Sequence, residues 1–350
     1  MKVLILGNVS DGQTGIYIAE SFKKIASDVI ATDIRKIIRD CGFEEGQKII
    51  IDEVKNCAIK PDLIVVLKGL EMSEETTAIV KKAHPQATFV NWFFDKYLGD
   101  KPLWECEEYF NTLKLYDFYF CSLKGVATKM NELGFDNAVY LDEACHPRLN
   151  KEEYLNHFQE QKYGEDISFI GSLGYIKQHP KRIKILDKLA QEGFKMKIWG
   201  PVICEWKYIS PELRYYHQQQ SVINLDHSKV CQASLINIGV DQDTALELGH
   251  SARLYRVMCC GGLYLVNGTK GLGNMFKINK RGEMPTGEED LVVYYDETHL
   301  IDVVDFLLDN EDIRIRIAKN GQKTVLDKHT FVHRVKEMQE IIKNKVKESE

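Results

Sequence analysis

Short apolar runs rich in branched and aromatic residues recur along this chain, most of them followed by a helical pattern, and that alternation leaves few architectures open. Val3 to Gly7 reads as a buried strand, Asn8 to Thr14 as a loop, and Ile16, Ala19, Phe22 and Ile25 then keep one helical face. Asp28 to Asp33, Pro61 to Leu67, Ala87 to Phe93, Phe118 to Cys121 and Ala138 to Leu141 repeat the strand pattern. Helical patterns fall at Glu45 to Ile59, Thr76 to Ala83 and Gly125 to Leu133, the last stopped by Gly134. Strand, turn and helix in repeated order predict an α/β fold with a parallel, doubly wound sheet.

A chain of 350 residues suits two such domains. Arg148 to Glu165 is polar and charged, with too few apolar residues for a core element, and reads as a linker between domains at 1–147 and 166–329. The second run has strands at Ile167 to Gly171, Lys195 to Gly200, Ser234 to Val240 and Leu291 to Tyr295, with helices at Ile183 to Ala190, Leu300 to Leu308 and Ile313 to Leu326. Pro201 to Gln220 follows neither period. A last helix, 330–350, places Val332, Val335, Met338 and Ile342 on one side.

Net charge is −6, which gives no general attraction to polyanions. The N-terminal apolar run ends too soon for a signal-peptide core or a membrane span, and nine cysteines without CxxC spacing indicate a reduced, cytoplasmic setting. No His/Cys/Asp cluster has the spacing of a metal-ligand set, and neither a DxD nor an HExxH motif is read from the chain, so no metal is expected. Adjacent Cys259 and Cys260 point in different directions from one helix.

The stretch with most chemical content is Ser251 to Phe276. Arg253, Leu254, Val257 and Met258 recur at helical spacing, Gly261 and Gly262 end the helix, and Leu263 to Val266 is a buried strand. Arg253 offers a charge-assisted bond to a phosphate or carboxylate. Gly171-Ser172 follows a strand with Lys177 and Arg182 just beyond, which are phosphate-binding ingredients. In the first half, the loop holding Asp11 and Gly12 ends the first strand but is neither a dinucleotide fingerprint nor a P-loop. Asp95 follows Trp92, Phe93 and Phe94 at another strand end, where a carboxylate suits a base toward a hydroxyl and aromatic faces suit sugars. His146 precedes Pro147 at the domain boundary.

Three segments of the second half, Asp166 to Leu173, Ser251 to Asn267 and Glu311 to Val335, resemble the C-terminal domain of GT-B glycosyltransferases, specifically the spore-maturation-protein-like (CgeB-like) group. Pro61 to Gly69, Asn91 to Asp95 and Tyr116 to Leu141 extend the likeness over most of the chain. The resemblance implies two facing Rossmann-like domains with parallel sheets and a C-terminal helix crossing back to the first. It implies a nucleotide-sugar donor, a UDP-sugar by base rate, as co-substrate without a cofactor. Arg253, Tyr255, Gly261 and Gly262 would lie beside that donor, with Gly171, Ser172 and Lys177 near its diphosphate or base. The acceptor would bind the first domain, with Asp11, Gly12, Trp92 and His146 on its side and Asp95 as base. Arg256 stands where the family has a ribose-binding Glu, and Glu247 is the upstream candidate to replace it. A glycan, a protein, a small molecule or a hydroxymethylated DNA base are acceptor options, and a silent nucleotide-sugar-binding protein is the competing class.

Overall fold

The computed structural model describes residues 1–98, 101–173, 180–202, 209–241 and 245–349. They form two compact units, Met1–Glu143 with Phe331–Glu350, and Ala144–Thr330.

The first unit runs β1 (Lys2–Gly7), α1 (Thr14–Phe22), β2 (Asp28–Asp33), α2 (Ile34–Cys41), α3 (Phe43–Lys55), β3 (Leu63–Leu67), α4 (Glu74–Ala83) and β4 (Thr88–Phe93). A small hairpin of β5 (Tyr97–Leu98) and β6 (Lys101–Pro102) follows, then α5 (Glu107–Leu113), β7 (Phe118–Cys121), α6 (Lys124–Glu132) and β8 (Ala138–Tyr140). Six parallel strands lie in the order β2-β1-β3-β4-β7-β8. All five residues of β3 are buried, as expected of a parallel strand covered on both faces. The last helix, which we number α14 (Phe331–Ser349), belongs to this unit. Phe331 wedges between Tyr17 and Trp92, with ring centroids 6.1 and 6.2 Å away, and Arg334 Nε donates to the Glu143 carbonyl at 3.1 Å.

The second unit contains α7 (His157–Tyr163), β9 (Ile167–Ile170), α8 (Pro180–Gln191), β10 (Met196–Trp199), α9 (Pro211–Tyr216), α10 (Asn224–Ala233) and β11 (Ile236–Gly239). It continues through α11 (Arg253–Cys259), β12 (Tyr264–Asn267), β13 (Val292–Tyr294), α12 (Glu297–Asp309) and α13 (Glu311–Lys328). Its five strands are parallel, in the order β10-β9-β11-β12-β13. Counting from β9, that is the order 2-1-3-4-5, so the chain reverses direction across the sheet between β9 and β11. Ile167, Phe169, Leu186, Ile236, Ile238, Leu265, Val292 and Val304 are among the fully buried residues of its core.

Two stretches differ from expectation. Residues 148–165 are not a free linker but part of the second unit. Asn156 and Gln159 form a reciprocal capping box at 2.9 and 3.1 Å, and buried Tyr163 donates its hydroxyl to Asp226 at 2.9 Å. Few apolar residues suffice because caps and one aromatic anchor replace a wide apolar stripe. Within 201–220, α9 is a short helix opened by Ser210 and Pro211. Among the described residues, no helix is long and apolar enough to cross a membrane.

Candidate functional site

The site grows from the reversal between β9 and β11, since the carboxyl ends of strands at such a point are where open α/β sheets bind ligands. Arg253, the first residue of α11, reaches across to the end of β9, where its Nε donates to the Ile170 carbonyl at 2.6 Å. Arg182, on α8, comes to the same place and donates Nη1 to the Ser172 carbonyl at 2.8 Å. Both guanidiniums lie over Phe169, with their central carbons 5.1 Å (Arg253) and 5.4 Å (Arg182) from the ring centroid. Gly171 makes this geometry feasible, since a Cβ there would stand 2.7 Å from Arg253 Nη2 and 3.0 Å from Phe169 Cζ.

Two buried N–H groups are left over. Arg253 Nη1 and Arg182 Nε have no hydrogen-bond partner among the described residues. Burial, and then the neighbouring Arg253 charge, push the Arg182 guanidinium down from its usual range. A guanidinium stays cationic at neutral pH even so. Asp241, at the end of β11, is the nearby counter-charge. It is buried, its Oδ1 accepts from the Ser251 N–H at 3.2 Å, and its Oδ2 has no hydrogen-bond partner among the described residues. Burial raises its pKa, against the pull of Arg253, His250, the Ser251 N–H and Arg182. Two adjacent cations with unspent donors and one reluctant carboxylate make a receptor for an anion, because a phosphate would satisfy both guanidiniums and relieve their mutual repulsion.

The end of α11 is set by backbone geometry. Gly261, at φ +81°, donates to Met258, and Gly262 donates to Val257, at 2.9 and 3.1 Å, the paired bonds of a Schellman motif. A Cβ at Gly262 would meet Asn237 Nδ2 and the Cys231 carbonyl, both at 2.8 Å. These glycines therefore seat the helix-to-strand turn on the sheet.

Of the remaining residues expected on the donor side, Tyr255 is fully buried, with its hydroxyl 3.0 Å from His250 Nε2 and its ring against His329 and Phe276. Arg256 and Glu247 are half-buried. Lys177 lies outside the described residues. Asp241 opens the triplet Asp241-Gln242-Asp243, a D-x-D spacing, which corrects the reading that the chain has none and removes that ground for expecting no metal; Gln242 and Asp243 lie outside the described residues.

In the first unit, Asp95 follows β4 half-exposed and paired with the Lys68 ammonium. Lys68 itself has φ +60° at the end of β3. Asp11 is exposed, and Gly12 turns its loop at φ +76°. Trp92, expected beside the acceptor, is a core residue with no exposed surface, and its Nε1 donates to the Leu141 carbonyl at 3.0 Å. It sits on a strand covered on both faces, so its ring is sealed. His146 is buried in the second unit, where its N–H donates to Asn150 Oδ1 at 3.1 Å. Sequence reasoning named Arg182 among phosphate-binding ingredients without pairing it with Arg253, and passed over Asp241, whose available signal was its position just after β11.

Residues 181–340 match the "Glycosyl transferase-like" family model. No curated protein matches the chain in sequence. Among solved structures, HepE from Anabaena in complex with UDP and glucose is 12% identical, with a TM-score of 0.66 over 98% of this chain and 100% of that one. Sucrose-phosphate synthase from Thermosynechococcus elongatus is 11% identical, with a TM-score of 0.63 over 98% and 99%. An alpha-glucosyltransferase in complex with UDP-glucose and DNA containing an abasic site is 14% identical, with a TM-score of 0.64 over 98% and 99%. Two parallel-sheet Rossmann-like units with these matches give the chain the GT-B glycosyltransferase fold.

Proposed function

We propose that the protein is a glycosyltransferase that takes a sugar from a nucleoside diphosphate sugar, a UDP-sugar in the first instance, and transfers it to an acceptor hydroxyl. The observation that carries this reading is that Arg182 and Arg253, at the carboxyl ends of β9 and β11, each keep a guanidinium nitrogen with no hydrogen-bond partner among the described residues. Cleavage of the glycosidic bond leaves charge on the departing diphosphate, and donors fixed in advance where that charge appears lower the barrier. Arg253 and Arg182 fill that role in this reading, with Gly171 and Ser172 giving backbone access. Lys177, between β9 and α8 in sequence, is an additional cation in this reading. Glu247 is the candidate for the ribose hydroxyls that Arg256 is unable to accept from. Asp95 is the proposed base toward the acceptor, with Asp11 and Gly12 on the same carboxyl edge of the first sheet. Charge stabilisation is assigned to the arginines rather than to a metal ion.

HepE is solved with UDP and glucose, and another neighbour with UDP-glucose, which supports the choice of donor. One neighbour also holds DNA, so a modified base joins glycans, proteins and small molecules as an acceptor class to be tried. Arg256 favours one competing reading, a binding protein that holds the nucleotide sugar without turnover.

Calorimetry with UDP, GDP, ADP and NAD, followed by donor hydrolysis with sugars of the tightest nucleotide, separates these readings. Binding of one nucleoside diphosphate with slow sugar release is the expected result. Binding without release, persisting with each acceptor class, would favour the silent protein. Binding of NAD alone, or of nothing, would overturn the proposal.

A further inference from the structure

The expectation that this chain holds no metal rested on linear spacing, and the fold brings together three residues that spacing does not connect. His227 and Cys231 lie one turn apart on α10, so they share a face. Cys260, the residue that caps the end of α11, is packed against that face. The His227 ring nitrogen Nδ1 stands 3.5 Å from Cys231 Sγ and 3.9 Å from Cys260 Sγ, and the three donor atoms all lie within 4.8 Å of one another. All three residues are buried, Cys231 and Cys260 completely. The hydroxyl of Ser228, also fully buried, lies 3.3 Å from Cys260 Sγ.

We propose that His227, Cys231 and Cys260 form a buried site for a thiophilic closed-shell cation, Zn²⁺ or Cu⁺, that clamps α10 to the end of α11. Zinc–sulfur bonds of about 2.3 Å and zinc–nitrogen bonds of about 2.0–2.1 Å at tetrahedral angles place sulfur and nitrogen donors ~3.6 Å apart. The measured 3.5 and 3.9 Å bracket that value. Two thiolates and a neutral imidazole around a divalent ion sum to zero charge, and a neutral assembly is what an interior without water accepts. Three soft or borderline donors also match the trigonal preference of Cu⁺, and Ser228 Oγ is the nearest oxygen for a fourth bond to zinc. Without an ion, the contacts among the three groups, and that of Cys260 with Ser228, are weak ones through S–H. The clamp is structural and independent of the donor reading: it fixes the far end of the helix whose first residue is Arg253.

The test uses the full reduced chain. Cobalt(II) is titrated as a zinc surrogate, watching for thiolate charge-transfer absorption and tetrahedral ligand-field bands, then displaced by Zn²⁺. In a parallel arm, Cu⁺ is competed against a colorimetric chelator. One ion per chain in either arm, lost in Cys231→Ser and Cys260→Ser but kept in exposed Cys41→Ser, is the expected result, and the arm that responds identifies the ion. The loss should exceed the roughly 10–100-fold that changes outside the ligand set cost. His227→Gln keeps both thiols and should shift the cobalt bands, a check that survives if a serine variant fails to fold. No stoichiometric binding of either ion by the wild-type chain would overturn the proposal. So would binding that persists in the double serine variant, or a Cys231–Cys260 disulfide in place of metal in protein purified without reductant.

Discussion

Arg182 and Arg253 share one aromatic ring, with their guanidinium carbons 5.4 and 5.1 Å from the centroid of Phe169. Two like charges held this close oppose folding and favour any anion that joins them. Arg253→Met should weaken UDP-glucose binding about 10- to 100-fold, the range for losing a charge-assisted bond of about 1.5–3 kcal/mol. Arg182→Met should weaken it comparably, while the melting temperature of the ligand-free protein stays level or rises as repulsion is relieved. Calorimetry and thermal unfolding on the same samples check both halves. A variant that lost stability and kept its affinity would speak against an anion site here.

Gly171→Ala and Gly262→Ala should part company. At Gly171 the new methyl meets the movable tip of Arg253, so the guanidinium shifts, affinity for UDP-glucose falls roughly tenfold and stability changes by less than about 1 kcal/mol. At Gly262 it meets the Cys231 carbonyl and the Asn237 amide inside the core, at a cost of about 1–3 kcal/mol in stability. Thermal unfolding with and without UDP-glucose separates the two effects.

Burial raises the Asp241 pKa above the ordinary carboxylate value, so the folded chain holds a proton that the unfolded chain has released in the window between the two. Its contribution to stability is therefore fully present below the ordinary value and is lost as pH rises through the raised one. Affinity should follow the same sign, because the newly formed carboxylate competes with phosphate for Arg253. UDP-glucose has no terminal phosphate monoester to titrate in this window, so its binding should weaken as pH rises, and Asp241→Asn should flatten the curve. A calorimetric pH series on both proteins measures this directly.

Asp95→Asn tests the proposed base. Transfer to an acceptor hydroxyl should slow by about 10²–10⁴-fold while UDP-glucose binding is unchanged, since Asp95 belongs to the first unit and the arginines to the second. Turnover that survives the substitution would remove Asp95 from the mechanism.

How far the sequence spoke depends on the range of the interactions involved. Strand and helix periods are local, so Val3 to Gly7, Leu63 to Leu67 and Ile167 to Ile170 were legible as buried parallel strands, and the Gly261–Gly262 stop was legible as a helix end. Arg253 was legible too, as a cation in a chemically rich stretch. Trp92 was misplaced because aromatic residues at a strand end look alike whether they face a ligand or the core; only the covering Phe331, from the far end of the chain, decides. Residues 148–165 looked like a linker because capping bonds leave little trace in hydrophobicity. The sequence by itself determined two α/β units with parallel sheets, since periodicity and glycine stops act over a few residues. Tertiary structure alone decided that Arg182 meets Arg253, and that His227 and Cys231 meet Cys260, because the order in which strands pair sets which distant loops and helix ends come together.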